Sequence, residues 1–424
     1  MSTQAASAGI DTASTASATR ESPKLQGVPR HLEGYVHKHF RPVARALREM
    51  IAKEPGGAAA AVYHRGELVC DVWGGARDNA GNPWEKDTAS VSFSTTKGVT
   101  STALHILAGR GLVDYEAPVC RYWPEFGANG KEDITVRHAL CHQAGLYNIR
   151  EMVDDASRML DWDYMTKALA AAPAAPEARK ASAYHGLTYG WLIGEIVQRV
   201  SKKPFRDFLR DEIAGPLELD GLFIGAPQSA LAHAARLVKM IKLDKKPSGK
   251  TKNRIQWVQR TANLFGVPLN ANRVRSALAP RGIGKFDFSS DEVLKASIPA
   301  ANGLFTARSL ARLYAALSMG GSIDGVRLMP EKTVWTASEV QWRKMDRVVP
   351  VPMHWRLGYH RAFTTRGAPY RGFGHYGFGG SGGWADPARQ LSVALVLNSG
   401  VGTPFGDIRT AQIGGVALSC ADNR

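Results

Sequence analysis

Val91-Ser92-Phe93-Ser94-Thr95-Thr96-Lys97-Gly98 is the stretch on which the reading of this 424-residue chain turns. Ser94 stands three residues before Lys97, the only serine–lysine pair at that spacing in the chain. Val91-Ser92-Phe93 reads as a short run into a turn. Val99 to Leu107 continues as an apolar-periodic helix that ends near Gly109 to Gly111. A spacing of three stacks both side chains on one helix face, one turn apart. Ser94 then falls at the helix N-terminus, where unpaired backbone N–H groups favour developing negative charge. The same residues also describe a serine N-cap followed by a surface lysine, so the remainder of the chain has to decide.

Composition sets the frame. The chain is 44% hydrophobic and 22% charged, an ordinary globular balance with room for a substantial core. It holds no apolar run of about 18 residues or more, the length a membrane span requires. Residues 1–30, rich in Ala, Ser and Thr with scattered Arg20, Lys24 and Arg30, lack the apolar core of a secretory signal and read as a disordered arm. Cys70, Cys120, Cys141 and Cys420 lie far apart and form no C-x-x-C pair, which suits free thiols in a reducing, cytoplasmic setting. The net charge of +16 is partly local: residues 236–275 carry a dense set of Lys and Arg against the single acid Asp244. No zinc-finger spacing or Gly-rich aromatic RNA motif accompanies them, so no nucleic-acid role is expected. The stretch reads as a solvated basic insertion. Weak peripheral contact with an anionic membrane is its second reading, because Met240, Ile241, Ile255, Trp257 and Phe265 interleave with the charges.

Residues 32–53 show apolar positions at helical spacing, stopped by Pro55-Gly56-Gly57. Ala58 to Tyr63 and Leu68 to Trp73 form a hairpin pattern around His64-Arg65-Gly66-Glu67. From about 116 to 295 the pattern is mostly helical, including Val136 to Cys141, Met165 to Ala171 and Leu187 to Val200. A further helix runs through Leu310, Leu313 and Leu317. Strand signals return at Trp355 to Phe363, Phe373 to Phe378 and Leu391 to Leu397. The expectation is a mixed α/β (α+β) fold whose antiparallel sheet is assembled from both chain ends and flanked by helices. Residues 31–115 and 296–424 would form that discontinuous sheet domain, and 116–295 an inserted helical one.

A nucleophilic serine needs a base, an orienting cation and an oxyanion hole. Lys97 is one candidate partner. Tyr184, at the end of a loop and just before a helix, is a second. Gly374-His375-Tyr376-Gly377-Phe378-Gly379-Gly380-Ser381-Gly382 is the third element, a strand edge with approachable backbone N–H groups. In this order and spacing, Ser94-Thr95-Thr96-Lys97, Tyr184 and Phe373 to Gly377 resemble the class C β-lactamase and D-alanyl-D-alanine peptidase superfamily. The likeness is strongest to its esterase branch, the family VIII carboxylesterases, and covers roughly residues 35–420. Val136 to Leu146 is similar to the loop that in this family usually reads L-L-x-H-T-S-G-L.

The resemblance implies that Ser94 is acylated, that Lys97 and Tyr184 share its proton, and that the backbone N–H groups of Ser94 and Phe378 form the oxyanion hole. It implies that His375, Tyr376, Gly377 and Gly379 border the substrate, and that no cofactor or metal is needed. It leaves open which of Lys97 and Tyr184 is the base; an ammonium beside the phenol would ease the phenol's ionisation. Two departures bear on substrate. Where the β-lactamases carry Tyr-x-Asn, position 186 is Gly. Where they carry Lys-Thr-Gly, this chain has His375-Tyr376-Gly377. Without amide and carboxylate anchors, neutral short-chain or aryl esters are expected ahead of β-lactams or peptides. A β-lactamase or peptidase activity is the alternative within enzymes, and a non-catalytic scaffold on the same fold the alternative outside them.

Three rival readings are weaker. Gly379-Gly380-Ser381-Gly382-Gly383 matches the G-x-S-x-G elbow of α/β-hydrolases, but that fold needs its histidine after the serine, and the last of the twelve histidines is His375. The segment reads instead as a Gly-rich turn. His138, Cys141 and His142 lack a fourth metal ligand at a recognisable spacing. Asp154, Asp155, Asp161 and Asp163 read as solvated helix faces.

Overall fold

The computed structural model describes residues 32–239, 270–402 and 407–424. The N-terminal arm and most of the basic insertion, with its membrane reading, lie outside the described residues. Seven antiparallel strands form the main sheet: β1 (Glu33–Val36), β2 (Gly57–His64), β3 (Glu67–Gly75), β9 (His360–Arg361), β10 (Phe373–Tyr376), β11 (Gly382–Asp386) and β12 (Leu391–Leu397), in the order β1-β3-β2-β12-β11-β10-β9. The sheet is therefore built from both chain ends, joined where β12 pairs with β2 from Leu391 opposite His64 to Leu397 opposite Ala58. A small sheet of β4 (Ser90–Val91), β5 (Leu222–Phe223) and β6 (Leu304–Phe305) runs in the order β4-β6-β5, and β7 (Ser322–Ile323) pairs with β8 (Val326–Arg327).

Alternation along the strands sorts the core into two layers. Ala58, Ala60 and Val62 face one side, where Val43 and Leu47 of the Arg41–Ile51 helix and Ile413 and Ala417 of the Ile408–Asp422 helix cover them. Ala59, Ala61 and Tyr63 face the larger layer, which also takes in the Thr96–Gly109, Tyr189–Ser201 and Ala307–Ser318 helices. That layer holds the site.

The structure departs from the sequence reading in three places. Glu33–Val36 is not helical but pairs with β3 as the edge strand, and the helix starts only at Arg41, with Pro42 in its first turn. Of Trp355 to Phe363 only His360–Arg361 is strand, because Gly358, at φ +77°, breaks the run. The glycines after Ser381 are not a turn: Gly382 and Gly383 begin β11. Their missing side chains have a packing reason. A Cβ at Gly383 would stand 2.6 Å from the Tyr314 ring, and one at Gly382 2.6 Å from Thr410 Cγ2, so only glycine admits both covering helices.

Candidate active site

Ser94 lies in a single 3₁₀ turn, Phe93–Thr95, that feeds directly into the Thr96–Gly109 helix. Phe93 takes φ +43°, a left-handed conformation that a bulky residue adopts at a cost of about 1–3 kcal/mol. The turn delivers Ser94 half-buried, at the mouth of the site. The helix behind it is buried from Thr96 to Leu107, which its Thr and Ser content does not announce. Those hydroxyls are all bonded internally: Thr100 Oγ1 donates to Pro299 O at 2.6 Å, Ser101 Oγ to Lys97 O at 2.6 Å, and Thr102 Oγ1 to Gly98 O at 2.8 Å. Small hydroxylated side chains let a helix run through the interior without an orphaned polar group.

Lys97 is fully buried and has no carboxylate partner among the described residues. Its Nζ lies 3.0 Å from Ser94 Oγ, 2.7 Å from Gly186 O and 2.9 Å from Ala300 O. Burial holds its pKa well below the ordinary 10.5. A neutral amine satisfies this geometry fully: two N–H groups donate to the two carbonyls, and the lone pair meets the Ser94 hydroxyl.

Tyr184 donates its hydroxyl to Ser94 Oγ at 2.7 Å. Burial pushes the phenol's pKa up, with the charge of Asp346 adding to the shift and the bond to Ser94 opposing it. The phenol is thus harder to ionise than in water, the reverse of the easing expected from an ammonium neighbour. A lysine pKa pushed down and a tyrosine pKa pushed up together favour Lys97 over Tyr184 as the proton acceptor.

Asp346 and Trp355 hold Tyr184 in place, and nothing in their sequence setting singles them out. Asp346 Oδ1 accepts from the backbone N–H of Tyr184 at 3.0 Å, Val348 at 2.8 Å and Val349 at 3.0 Å. Its Oδ2 accepts from Ser182 Oγ at 2.8 Å and Trp355 Nε1 at 3.0 Å. The Trp355 ring stacks on that of Tyr184, 5.6 Å between centroids and 6° from parallel. Burial raises the Asp346 pKa while these donors pull it down.

Across the turn runs β10. Gly377 has an ordinary extended conformation, φ −107° and ψ 160°. A Cβ there would stand 2.4 Å from Ser92 O and 2.9 Å from Thr95 Oγ1, so glycine is what lets the strand lie against the Ser94 turn. The N–H groups of Ser94 and Phe378 have no backbone acceptor among the described residues. Phe378 also packs its ring on Phe93 at 5.6 Å, and Phe93 meets Phe288 at 5.3 Å, giving an aromatic wall beside the nucleophile.

His375 faces the site layer, 6.3 Å from the Tyr184 ring between centroids. Its Nδ1–H donates to Tyr376 O at 3.0 Å, which leaves Nε2 as a bare acceptor, buried and without a partner among the described residues. Burial keeps the ring well below its ordinary pKa, so it supplies no positive charge. Tyr376 does not border the cleft with its side chain. By strand alternation it points to the opposite layer and donates to Phe363 O at 2.6 Å. Gly379, at φ +81°, has open space around it, with Phe93 Cε2 and Val401 O both 3.9 Å from an added Cβ. At Gly186 the place of an asparagine side chain is taken: an added Cβ would stand 2.2 Å from Leu278 Cδ2 and 2.9 Å from Ala277 O.

Ser381 is followed at once by strand β11, not by the helix an elbow requires. The three residues of the metal reading turn to separate tasks. His138 closes a capping box with Thr135, Cys141 Sγ faces Arg356 O at 3.7 Å, and His142 Nδ1 accepts from His185 N at 3.1 Å. Asp155 and Asp161 cap short helices, and Asp154 pairs with Arg158.

Residues 43–418 match the family described as Beta-lactamase. The chain belongs to this family. It is 41% identical over 375 residues to Esterase/beta-lactamase LipL of Mycobacterium tuberculosis (strain ATCC 25618 / H37Rv), covering 87% of this chain and 83% of that protein. Two solved structures superpose with a TM-score of 0.79, each over 92% of this chain and 99% of its own. One is a penicillin-binding protein homolog from Caulobacter crescentus at 32% identity, the other a family VIII carboxylesterase at 30%. Among the described residues no helix is long and apolar enough to cross a membrane.

Proposed function

We propose that this protein is a serine hydrolase of uncharged carboxylic esters that works through an acyl-enzyme on Ser94. The observation that carries the reading is Ser94 Oγ held 3.0 Å from Lys97 Nζ and 2.7 Å from Tyr184 Oη. Neutral Lys97 takes the Ser94 proton as Oγ attacks the ester carbonyl. The oxyanion is received by the N–H groups of Ser94 and Phe378. As the carbon–oxygen bond to the alcohol breaks, Tyr184 protonates the departing oxygen, and the phenolate recovers a proton from the Lys97 ammonium. That transfer runs downhill, because burial disfavours both charges. In the second half Lys97 accepts a proton from the attacking water and returns it to Oγ as the acid leaves.

The substrate class follows from what borders the nucleophile. His375 stays neutral where a carboxylate-binding cation would stand, Leu278 fills the place of an amide-holding side chain, and Phe93, Phe288 and Phe378 offer an apolar wall. Short-chain and aryl esters fit these features. The name of the 41%-identical relative couples esterase with β-lactamase, so a β-lactam belongs among the substrates tested. Pre-steady-state kinetics on a p-nitrophenyl ester, with nitrocefin alongside, test the proposal. A burst of p-nitrophenol is expected, lost in Ser94→Ala and kept in Ser381→Ala. Full activity in Ser94→Ala would sink the mechanism. Absence of fluorophosphonate labelling at Ser94 would point to a non-catalytic protein.

A further inference from the structure

A cavity of about 440 Å³ is lined by four arginines, Arg343, Arg356, Arg361 and Arg371, with His354 and a single acid, Glu339. Among the described residues none of the four guanidiniums forms an ion pair. Arg356 is only 2% exposed. Its Nε donates to Ser338 O at 2.6 Å and its Nη1 to His354 O at 3.3 Å, so its charge is met by neutral carbonyls alone. The Arg371 guanidinium lies over the Trp335 ring, 4.3 Å from its centroid.

A buried guanidinium with no counter-charge, facing three like charges, is costly unless an anion completes it. Burial first, and then the charges of Arg361 and Arg343, lower the Arg356 pKa to about 10. A carboxylate would balance only one of four charges. A phosphate group brings about two charges and three strong acceptor oxygens, which the planar forks of arginine take in pairs.

We propose that this cavity is a binding site for a phosphate group, carried by a soluble phosphorylated molecule or by a lipid headgroup. None of the residues that line it belongs to the ester site. Trp355 turns its ring to Tyr184 while Arg356 lines the cavity, and in β9 His360 turns to His375 at 4.9 Å while Arg361 lines the cavity.

The test measures thermal stabilisation and calorimetric binding of the full chain with inorganic phosphate and with pyrophosphate, at constant ionic strength against chloride. Vesicles with and without phosphatidic acid form the second arm. Saturable binding of the soluble ions is expected, weakened about tenfold or more in Arg343→Gln and Arg361→Gln, as loss of a charge-assisted hydrogen bond requires. Arg356→Met is avoided as the sole variant because its side chain is part of the packing. Binding to phosphatidic-acid vesicles alone, lost in the same variants, assigns the headgroup as the source. Absence of binding in both arms, a response no larger than that to chloride, or binding undiminished in the Arg343→Gln/Arg361→Gln double variant overturns the proposal. Ester turnover by Arg343→Gln is expected to stay at the wild-type level, so this site and the Ser94 mechanism fail or stand separately.

Discussion

Replacing Gly377 with alanine isolates one contact and lets its cost be worked out. The backbone there, φ −107° and ψ 160°, suits alanine as well as glycine, so no conformational strain enters. What changes is a single Cβ, 2.4 Å from Ser92 O, 2.9 Å from Thr95 Oγ1 and 3.2 Å from the Thr95 nitrogen. The first of these is about 1 Å short of ordinary van der Waals contact. Strand β10 cannot retreat, since it is buried and paired with β9 on one side and β11 on the other. The displacement therefore falls on the Phe93–Thr95 turn, which carries Ser94. Overpacking of this kind costs about 1–3 kcal/mol of stability. A shift near 1 Å in a nucleophile held at 2.7 Å and 3.0 Å from its partners costs about 100-fold in turnover. Steady-state kinetics on a p-nitrophenyl ester, with urea unfolding of the same preparation, check both figures. If Gly377→Ala keeps kcat/KM within about threefold of wild type, β10 does not set the position of Ser94 and the reasoning is wrong.

Three further outcomes are expected. Lys97→Met should lower kcat/KM by about 10²–10⁴-fold or more and abolish the acidic limb of its pH profile, whereas Tyr184→Phe should keep that limb; a limb that disappears with the phenol would make Tyr184 the base. The same lysine should make stability rise with pH. Its folded pKa lies well below the unfolded 10.5, so the unfolded chain binds the extra proton between the two, and unfolding measured across alkaline pH should lose that slope in Lys97→Met. Asp346→Asn should lower kcat about 10–100-fold with little change in KM and alter the near-ultraviolet dichroism of Trp355, because it puts an amide donor opposite Ser182 and Trp355 or removes an acceptor from three backbone N–H groups.

The parts of the site that were legible in the sequence are those in which chemistry and spacing coincide. Ser94 and Lys97 meet because three residues make nearly one helical turn, and the β2–β3 hairpin follows from alternation around a four-residue turn. Tyr184 and the His375 strand were legible by their order along the chain. Asp346 was not. It sits in Arg343-Lys344-Met345-Asp346-Arg347, a setting that reads as solvated surface, and its partner Tyr184 is 162 positions away. The hydroxyls of Thr100, Ser101 and Thr102 suggest a half-exposed helix, and only the carbonyls brought to them by the fold explain their burial. Strand β11 was hidden for a different reason. Its glycines answer to two helices that pack on either side, and strand propensity carries no trace of that demand.

The electrostatic design of the site narrows its substrate more than any single motif does. Among the described residues Lys97 is buried without a carboxylate partner, burial lowers the pKa values of His142, His185, His360 and His375 alike, and Asp346 accepts from five donors. None of these groups offers a fixed charge to an incoming molecule. An anionic substrate would have to leave water for a site that returns no counter-charge, a cost of several kcal/mol that a neutral ester does not meet. The same absence leaves burial to lower the Lys97 pKa, since a carboxylate able to bind a substrate cation would also raise it. In the proposed mechanism, selectivity for neutral esters and the basicity of Lys97 thus have one physical origin. A carboxylate introduced by Leu278→Glu beside Gly186 should raise the lysine's pKa, moving the acidic limb of kcat/KM to higher pH as it lowers the rate.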